Sequence, residues 1–346
     1  MQNIKNYTLE ELAEFVEEIV REINAAIEEI DDINNETHTL AINVVIESSK
    51  AGESGRTFAV VAQRMNDLNK KIESITEKIK NDTVTTISNL VGVVKSHATN
   101  IRGIRLADLA LTNIDLIDRS LYERSCDIRW WSRDSSVVNA LLKKDSLSIE
   151  TCIERLTVIL EAYTVYHDLL VCDLEGNVIC NGKPYKYSFR GKNYKDAAWF
   201  KEIKGKKGNE YVYSSVHKSE IIGEFVMIFA SLVYDEMDTN KPIGVLASIF
   251  KWGDLAHSIV NNTPLNNDEK RSARICITDK DLIIADTEGR ILEKIEFEGK
   301  DDLFTKKGFI ITTYNGKMSC IAHALSQGYE TYSSGFHSLI IQHIKY

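Results

Sequence analysis

The chain has 346 residues, 43% hydrophobic and 27% charged, with 51 acidic against 42 basic side chains and a net charge of -9. That is the composition of an ordinary globular chain of two or three domains, and its acidic balance argues against a nucleic-acid partner, whose phosphates require a basic stripe. No run approaches the roughly 20 apolar residues of a membrane helix, and the start MQNIKNYTLEELAEF lacks the basic-then-apolar order of a signal peptide, so the expected location is cytoplasmic.

From Leu12 the apolar positions run Val16, Ile19, Ile23, Ala26, Ile30, Ile33, Thr37, Leu40 and Val44, alternating steps of four and three. That is a heptad seam. Thr8 and Glu11 have capping-box spacing ahead of it, and Gly52 stands where a helix end favours a left-handed residue. The first arm is expected from about Leu9 to Ala51. The seam resumes as Phe58, Val61, Met65, Leu68, Ile72, Ile75 and Ile79, slips phase near Asn81 and Asp82, and continues through Val84, Ile87, Val91, Val94 and Ile101. Each arm would be on the order of 65 Å long. A link as short as AGESG leaves them as antiparallel neighbours, a coiled-coil hairpin. A two-helix hairpin buries such a seam poorly, so a homodimer forming a four-helix bundle is expected. The pairs Glu10 and Glu11, Glu17 and Glu18, and Glu28 and Glu29 read as solvated positions beside the seam.

The turn itself is NVVIESSKAGESGRTFAVVAQ, Asn43 to Gln63. It resembles the cytoplasmic signalling tip of methyl-accepting chemotaxis receptors, matching at Asn43, Ile46, Glu47, Ala51, Gly52, Glu53, Gly55, Arg56, Phe58 and the run Ala59 to Ala62. It departs from that pattern at Lys50, Thr57, Asn35, Glu36, His38 and Thr39. The resemblance implies a homodimer that associates into trimers of dimers and docks a histidine kinase with its coupling adaptor. The tip residues it nominates for partner binding are Asn43, Glu47, Lys50, Glu53, Arg56, Phe58 and Val60. The charges read independently as a polar rim at the hairpin end, with Phe58 and Val60 offering apolar contact beside it.

From about Ile104 the character changes. A helical run, LADLALTNIDLIDRSLYERSCDIRWWSRDSSVVNALL, is expected as one long helix over 105–143. Apolar or alternating segments follow, LLVCDLEGNVICN, YVYSSVHKS, GEFVMIFASLVYD and IGVLASIFKW, punctuated by EGN, GKKGN and DTNKP. These read as strands and turns. ARICITDKDLIIADTEGR, GFIITTYNGKMSCIAHAL and SGFHSLIIQHI repeat the theme, with Asp173 to Gly176 and Asp286 to Gly289 as matching turn signals, which suggests an internal duplication.

The order of a long helix, an EGNV hairpin, the WF pair in NYKDAAWF, a strand ending in YSS and then IGVLASIFKWGDL resembles a double Cache sensor, a PAS-like fold. The resemblance implies a small-molecule pocket between the WF loop and the central sheet, and nominates Tyr194, Trp199, Phe200, Tyr213, Met227 and Phe229. Aromatics equally fill a core wherever a loop folds over a sheet. The amino-acid-binding subset carries an arginine and an aspartate where this chain has Ala197 and Ile249, which points away from an amino-acid ligand. Arg190, Lys192 and Lys195 suit an anionic ligand or serve as solvated loop cations.

Catalytic chemistry finds no foothold. The eight histidines show no HExxH spacing, GxSxG is missing, and GKKGN does not make a Walker loop. Asp279 and Asp281 around one lysine are too little for a calcium loop. The six cysteines, Cys126, Cys152, Cys172, Cys180, Cys276 and Cys320, contain no CxxC pair and read as reduced small hydrophobes. No enzyme activity, metal or cofactor is expected. The expected class is α+β: a helical-hairpin signalling domain over 1–104 with its tip near 48–57, then a double Cache sensor over 105–346 with modules at about 150–262 and 263–346. The expected function is chemoreceptor-like transduction of a small-molecule signal to a kinase and adaptor. The rival is a ligand-binding scaffold whose tip dimerises or joins receptor arrays without controlling the kinase.

Overall fold

The computed structural model describes residues 9–238, 240–300 and 306–344, which fall into two compact units divided between Arg102 and Gly103. Thr8 lies outside the described residues, as do the side chains of Glu10, Glu11, Leu12 and Glu17. In the first unit, α1 (Leu9–Lys50) and the opening of α2 (Arg56–Trp131) are joined by a 3-10 turn, Gly52–Gly55. Gly52 turns the chain at φ +61°, and Gly55 lets the arms meet: a Cβ there would lie 2.1 Å from the Ser48 carbonyl oxygen. α2 stays helical through Asn81 and Asp82, where the phase slip suggested an irregularity.

The hairpin turns a different seam inward from the one the apolar pattern suggests. The buried positions are Ile27, Ala41 and Ser48 in α1, Gly55 in the turn, and Ala62, Asn69 and Thr76 in α2. They recur in steps of seven, with partly buried Asn34 in the remaining place. Small side chains let two helices approach closely, which is why these positions close the hairpin. Ile33, Leu40, Leu68 and Ile75, expected in the seam, are each more than half exposed, as is Phe58. Glu18, Glu28 and Glu29 are exposed.

The second unit opens on the remainder of α2. The single helix expected over 105–143 is broken. α2 stops at Trp131, and α3 (Ser135–Lys143) starts afresh because Asp134 caps it, accepting from the Ser136 N–H at 3.0 Å, while Arg155 holds the same carboxylate at 2.9 Å. α4 (Ser146–Ala162) is capped likewise by Asp145.

The first sheet is antiparallel and is built from β1 (Tyr166–Cys172), β2 (Val178–Asn181), β3 (Tyr211–Tyr213), β4 (His217–Lys218), β5 (Phe225–Tyr234) and β6 (Pro242–Phe250), with α5 (Ala198–Lys204) between β2 and β3. Its order is β2-β1-β6-β5-β3, and β4 pairs with β5. After α6 (Trp252–Asn262) and α7 (Asn267–Ser272), the second sheet forms from β7 (Ala273–Asp279), β8 (Leu282–Asp286), β9 (Lys307–Tyr314), β10 (Lys317–Leu325) and β11 (His337–His343). Its order, β8-β7-β11-β10-β9, repeats the plan of the first. Asp173 closes the β1–β2 turn, accepting from the Asn177 N–H at 2.8 Å, whereas the matching turn signal at Asp286 lies past the β7–β8 hairpin, where Asp286 ends β8 and accepts from the Arg290 N–H at 2.9 Å.

One core joins α2, α3 and α4 to one face of both sheets, and each sheet has a second, separate core on its other face. Asp118 of α2 ties the helix to the loop after β10, accepting from Ser326 Oγ and Ser334 Oγ at 2.6 Å each and from the Gly328 N–H at 3.1 Å. No helix among the described residues is long and apolar enough to cross a membrane.

Candidate functional site

At the hairpin end Glu47 and Lys50 form an exposed ion pair one turn apart, Nζ to Oε1 2.6 Å. Exposed pairs of this kind contribute little to stability, so these charges are free to serve recognition. A shallow groove of about 350 Å³ opens beside them, lined by Ser48, Ser49, Gly52, Glu53, Arg56 and Ala59. Glu53 and Arg56 are thus brought together in the groove. Asn43, Glu47, Lys50, Phe58 and Val60 are exposed but do not line it. Phe58 is 64% exposed and Val60 60%, so both present apolar surface beside these charges.

In the second unit the nominated pocket residues divide between two faces of the first sheet. Trp199 and Phe200 enter on α5 and pack on the face made by Val226, Ile228, Ala230 and Leu232, with Tyr194 alongside. Trp199 sits 5.5 Å from each of Tyr194 and Phe200, centroid to centroid. Burial holds the Tyr194 hydroxyl up to about 12. Met227 and Phe229 alternate to the opposite face and belong to the helix-facing core, where Tyr213 stacks at 5.9 Å from Phe229 and 5.4 Å from Tyr332. The period of two along β5 separates them, so the six do not form one pocket. Arg190, Lys192 and Lys195 are exposed.

The Trp199 face carries polar groups that the sequence reading missed. Asp168 of β1 is fully buried; its carboxylate accepts from Asn181 Nδ2 at 2.7 Å and from the N–H groups of Leu169 and Lys183 at 2.8 and 3.1 Å. Burial outweighs these donors and raises its pKa to about 6. His167, lowered by burial, approaches Tyr187 Oη through Nδ1 at 3.3 Å. The signal was the polar pair opening the otherwise apolar strand YHDLLVC. Asp168 lies directly across from Ile249 of β6, so the carboxylate missing from one strand is present at the same level on its neighbour.

Asp168 gives a pH prediction. Its folded value lies above the unfolded one, so the stability it contributes is complete below about pH 4 and is lost as the pH rises through about 6. Asp168→Asn should remove that slope. Urea midpoints of both proteins at pH 4, 5, 6 and 7 would read it, and parallel curves would refute the assignment.

Residues 1–121 match the methyl-accepting chemotaxis protein (MCP) signalling domain. AlkN of Alcanivorax borkumensis is 33% identical over 111 residues, 29% of this chain and 16% of that one. PilJ of Pseudomonas aeruginosa is 32% identical over 106 residues, again 29% of this chain and 15% of the relative. The chain therefore covers about a sixth of the length of these relatives.

The second unit has its own counterpart in a solved structure. The ligand-binding domain of the Campylobacter jejuni chemoreceptor Tlp3, solved with 4-methylisoleucine, aligns with a TM-score of 0.52 at 13% identity, covering 71% of this chain and 91% of that one. At that identity the likeness is one of fold. The chain thus joins an MCP-type signalling segment to an α+β unit with the fold of Cache-type sensor domains.

Proposed function

We propose that this protein is a chemoreceptor-like transducer that binds a small molecule through its sheet unit and signals through the hairpin tip to a chemotaxis histidine kinase and its coupling adaptor. The observation that carries the reading is the MCP match of residues 1–121, centred on a turn whose charged and apolar side chains are left exposed. The sensing half is supported by the fold shared with chemoreceptor ligand-binding domains. α2 runs from Arg56 to Trp131 and contributes residues to both units. A ligand that favours one packing over another by its differential affinity then biases the tip.

The proposed assembly is a homodimer in which a second hairpin covers the outward stripe of Ile33, Leu40, Leu68 and Ile75, with trimers of dimers at the tips. The proposed location is the cytoplasm, in keeping with six free thiols. The test is reconstitution: purified protein, kinase and adaptor, assayed for kinase activity across a panel of small molecules. Kinase binding with ligand-dependent activity is the expected result. A dimer that binds no kinase would leave the scaffold reading in its place. Within this assay Phe58→Ala should weaken partner docking by roughly 1–4 kcal/mol, since an exposed aromatic framed by charges is the usual form of an interface anchor. Unchanged docking would place the anchor elsewhere.

A further inference from the structure

Two histidines meet on the face of the second sheet that points away from the helices. His323 of β10 stands opposite Leu339 of β11, and His337 of β11 opposite Leu325, so the two rings share one face on neighbouring strands, centroids 6.3 Å apart. His323 is 2% exposed and His337 5%, and His323 Nδ1 has no hydrogen-bond partner. On the other side of His323, β9 carries Gly308, where a Cβ would lie 3.2 Å from the ring Nε2. The charged and titratable groups of the surrounding elements are committed elsewhere. Arg274 of β7 holds Asp286 of β8 and donates to Tyr314 of β9, while burial pushes the Cys276 thiol up to about 12. Lys306 and Lys307 beside β9 are exposed, and Lys307 reaches Asp108 of α2. In the loop that brings Ile295 and Phe297 over this face, Lys294 pairs with Asp281 and Lys300 with Glu296. His343, at the far end of β11, bonds Ser319 Oγ at 2.9 Å. Among the described residues His337 is the one charge-bearing group that acts on His323, and it acts against protonation.

The same two strands frame the loop that grips α2. The β10–β11 connection begins just after His323 and ends just before His337, and its Gly328 and Ser334 N–H groups donate to Asp118 of α2 at 3.1 and 3.2 Å, alongside the Ser326 and Ser334 hydroxyls. Asp118 is itself buried. We propose that His323 and His337 form an acid-sensitive catch, in which a proton taken up by this pair opens the adjoining ends of β10 and β11 and releases the loop from Asp118. The inference goes beyond small-molecule sensing and does not rest on it, because the input is the proton itself. A neutral imidazole is tolerated in a closed apolar site, whereas an imidazolium there lacks both water and a counter-charge. Burial first and His337 second hold the His323 pKa down to about 4, below the ordinary value of 6.5. The opened form therefore binds the proton more readily, and opening gains as the pH falls from about 6.5 toward 4. For one such group the opening constant rises about threefold from pH 7 to pH 6 and about 20-fold from pH 7 to pH 5. Asp168 works in the opposite sense, since its contribution to stability grows as the pH falls, so it cannot imitate this opening.

Hydrogen exchange of the full chain, followed by mass spectrometry and corrected for the intrinsic pH dependence of amide exchange, reads the catch. The reporters are the peptides that carry Gly328 and Ser334. In the parent their protection is expected to fall about 20-fold from pH 7 to pH 5. His323→Gln/His337→Gln replaces both rings with carboxamides that take up no proton in this range, and its protection should stay flat. Should the double variant misfold, His323→Gln alone is expected to lose most of the fall. His257→Gln, which changes an exposed histidine of α6, should keep the parent's slope. A flat parent, a loop already unprotected at pH 7, or a His323→Gln protein that keeps the full slope would overturn the proposal. A fall confined to β10 and β11, with Gly328 and Ser334 still protected, would overturn the release of Asp118.

Discussion

Replacing Arg274 with methionine is expected to destabilise the second unit by about 3–5 kcal/mol, the usual result of stripping one partner from a buried ion pair. Arg274 on β7 and Asp286 on β8 are buried together, with Nε to Oδ1 at 3.0 Å and Nη2 to Oδ2 at 2.8 Å, and Arg274 also donates to Tyr314 Oη. The pair keeps the guanidinium charged by raising its pKa. Without Arg274, Asp286 keeps the Arg290 N–H as a donor but loses its counter-charge in a site closed to water. Urea unfolding would measure the loss. The Arg274→Met/Asp286→Leu double variant should recover most of it, because an apolar pair of similar volume avoids both desolvation costs. Equal losses in single and double variants would mean that these side chains matter for something other than their mutual charge pairing.

The parts of this fold that were legible in the sequence are those where one physical demand dominates. Gly52 and Gly55 flank a turn too short for anything but a reversal, and the heptads on either side permit only a hairpin. What the heptads do not disclose is which stripe turns inward. Ile33 and Leu40 make the more apolar seam, yet close approach at the tip requires small side chains, so Ala41 and Ser48 go inside and the larger residues face outward. That inversion is intelligible if the seam is meant for another hairpin. The helix over 105–143 failed for a local reason: apolar positions resume on either side of Ser132, Arg133 and Asp134 at Trp131 and Val138, one heptad apart, but Asp134 caps a new helix and gains a partner in Arg155.

The pocket failed for a different reason. A strand with one wet face advertises its inner residues by alternation, but β5 is buried on both faces, so Met227 and Ile228 look alike in sequence and point oppositely. Only the partners reveal the faces, and those come from α5 and α2, far apart in the chain. Asp168 was overlooked because a charge in an apolar strand reads as noise until Asn181 is seen beside it.

The division of faces separates Trp199 from Met227 in a way a ligand would read. Trp199→Ala should cost about 3–5 kcal/mol, and Met227→Ala about 2–5 kcal/mol, since both side chains are buried and neither site can collapse fully between a sheet and its cover. Stability therefore does not distinguish them, but ligand response should. A small molecule held between α5 and the sheet contacts Trp199, Tyr194 and Ile228, whereas Met227 faces the helices. In a thermal-shift screen, compounds that stabilise the parent should lose their effect in Trp199→Ala, lose part of it in Trp199→Phe, which keeps most of the packing volume, and retain it in Met227→Ala. The opposite pattern would put the ligand on the helix-facing side, beside Tyr213 and Phe229, and would reverse which face of the sheet senses.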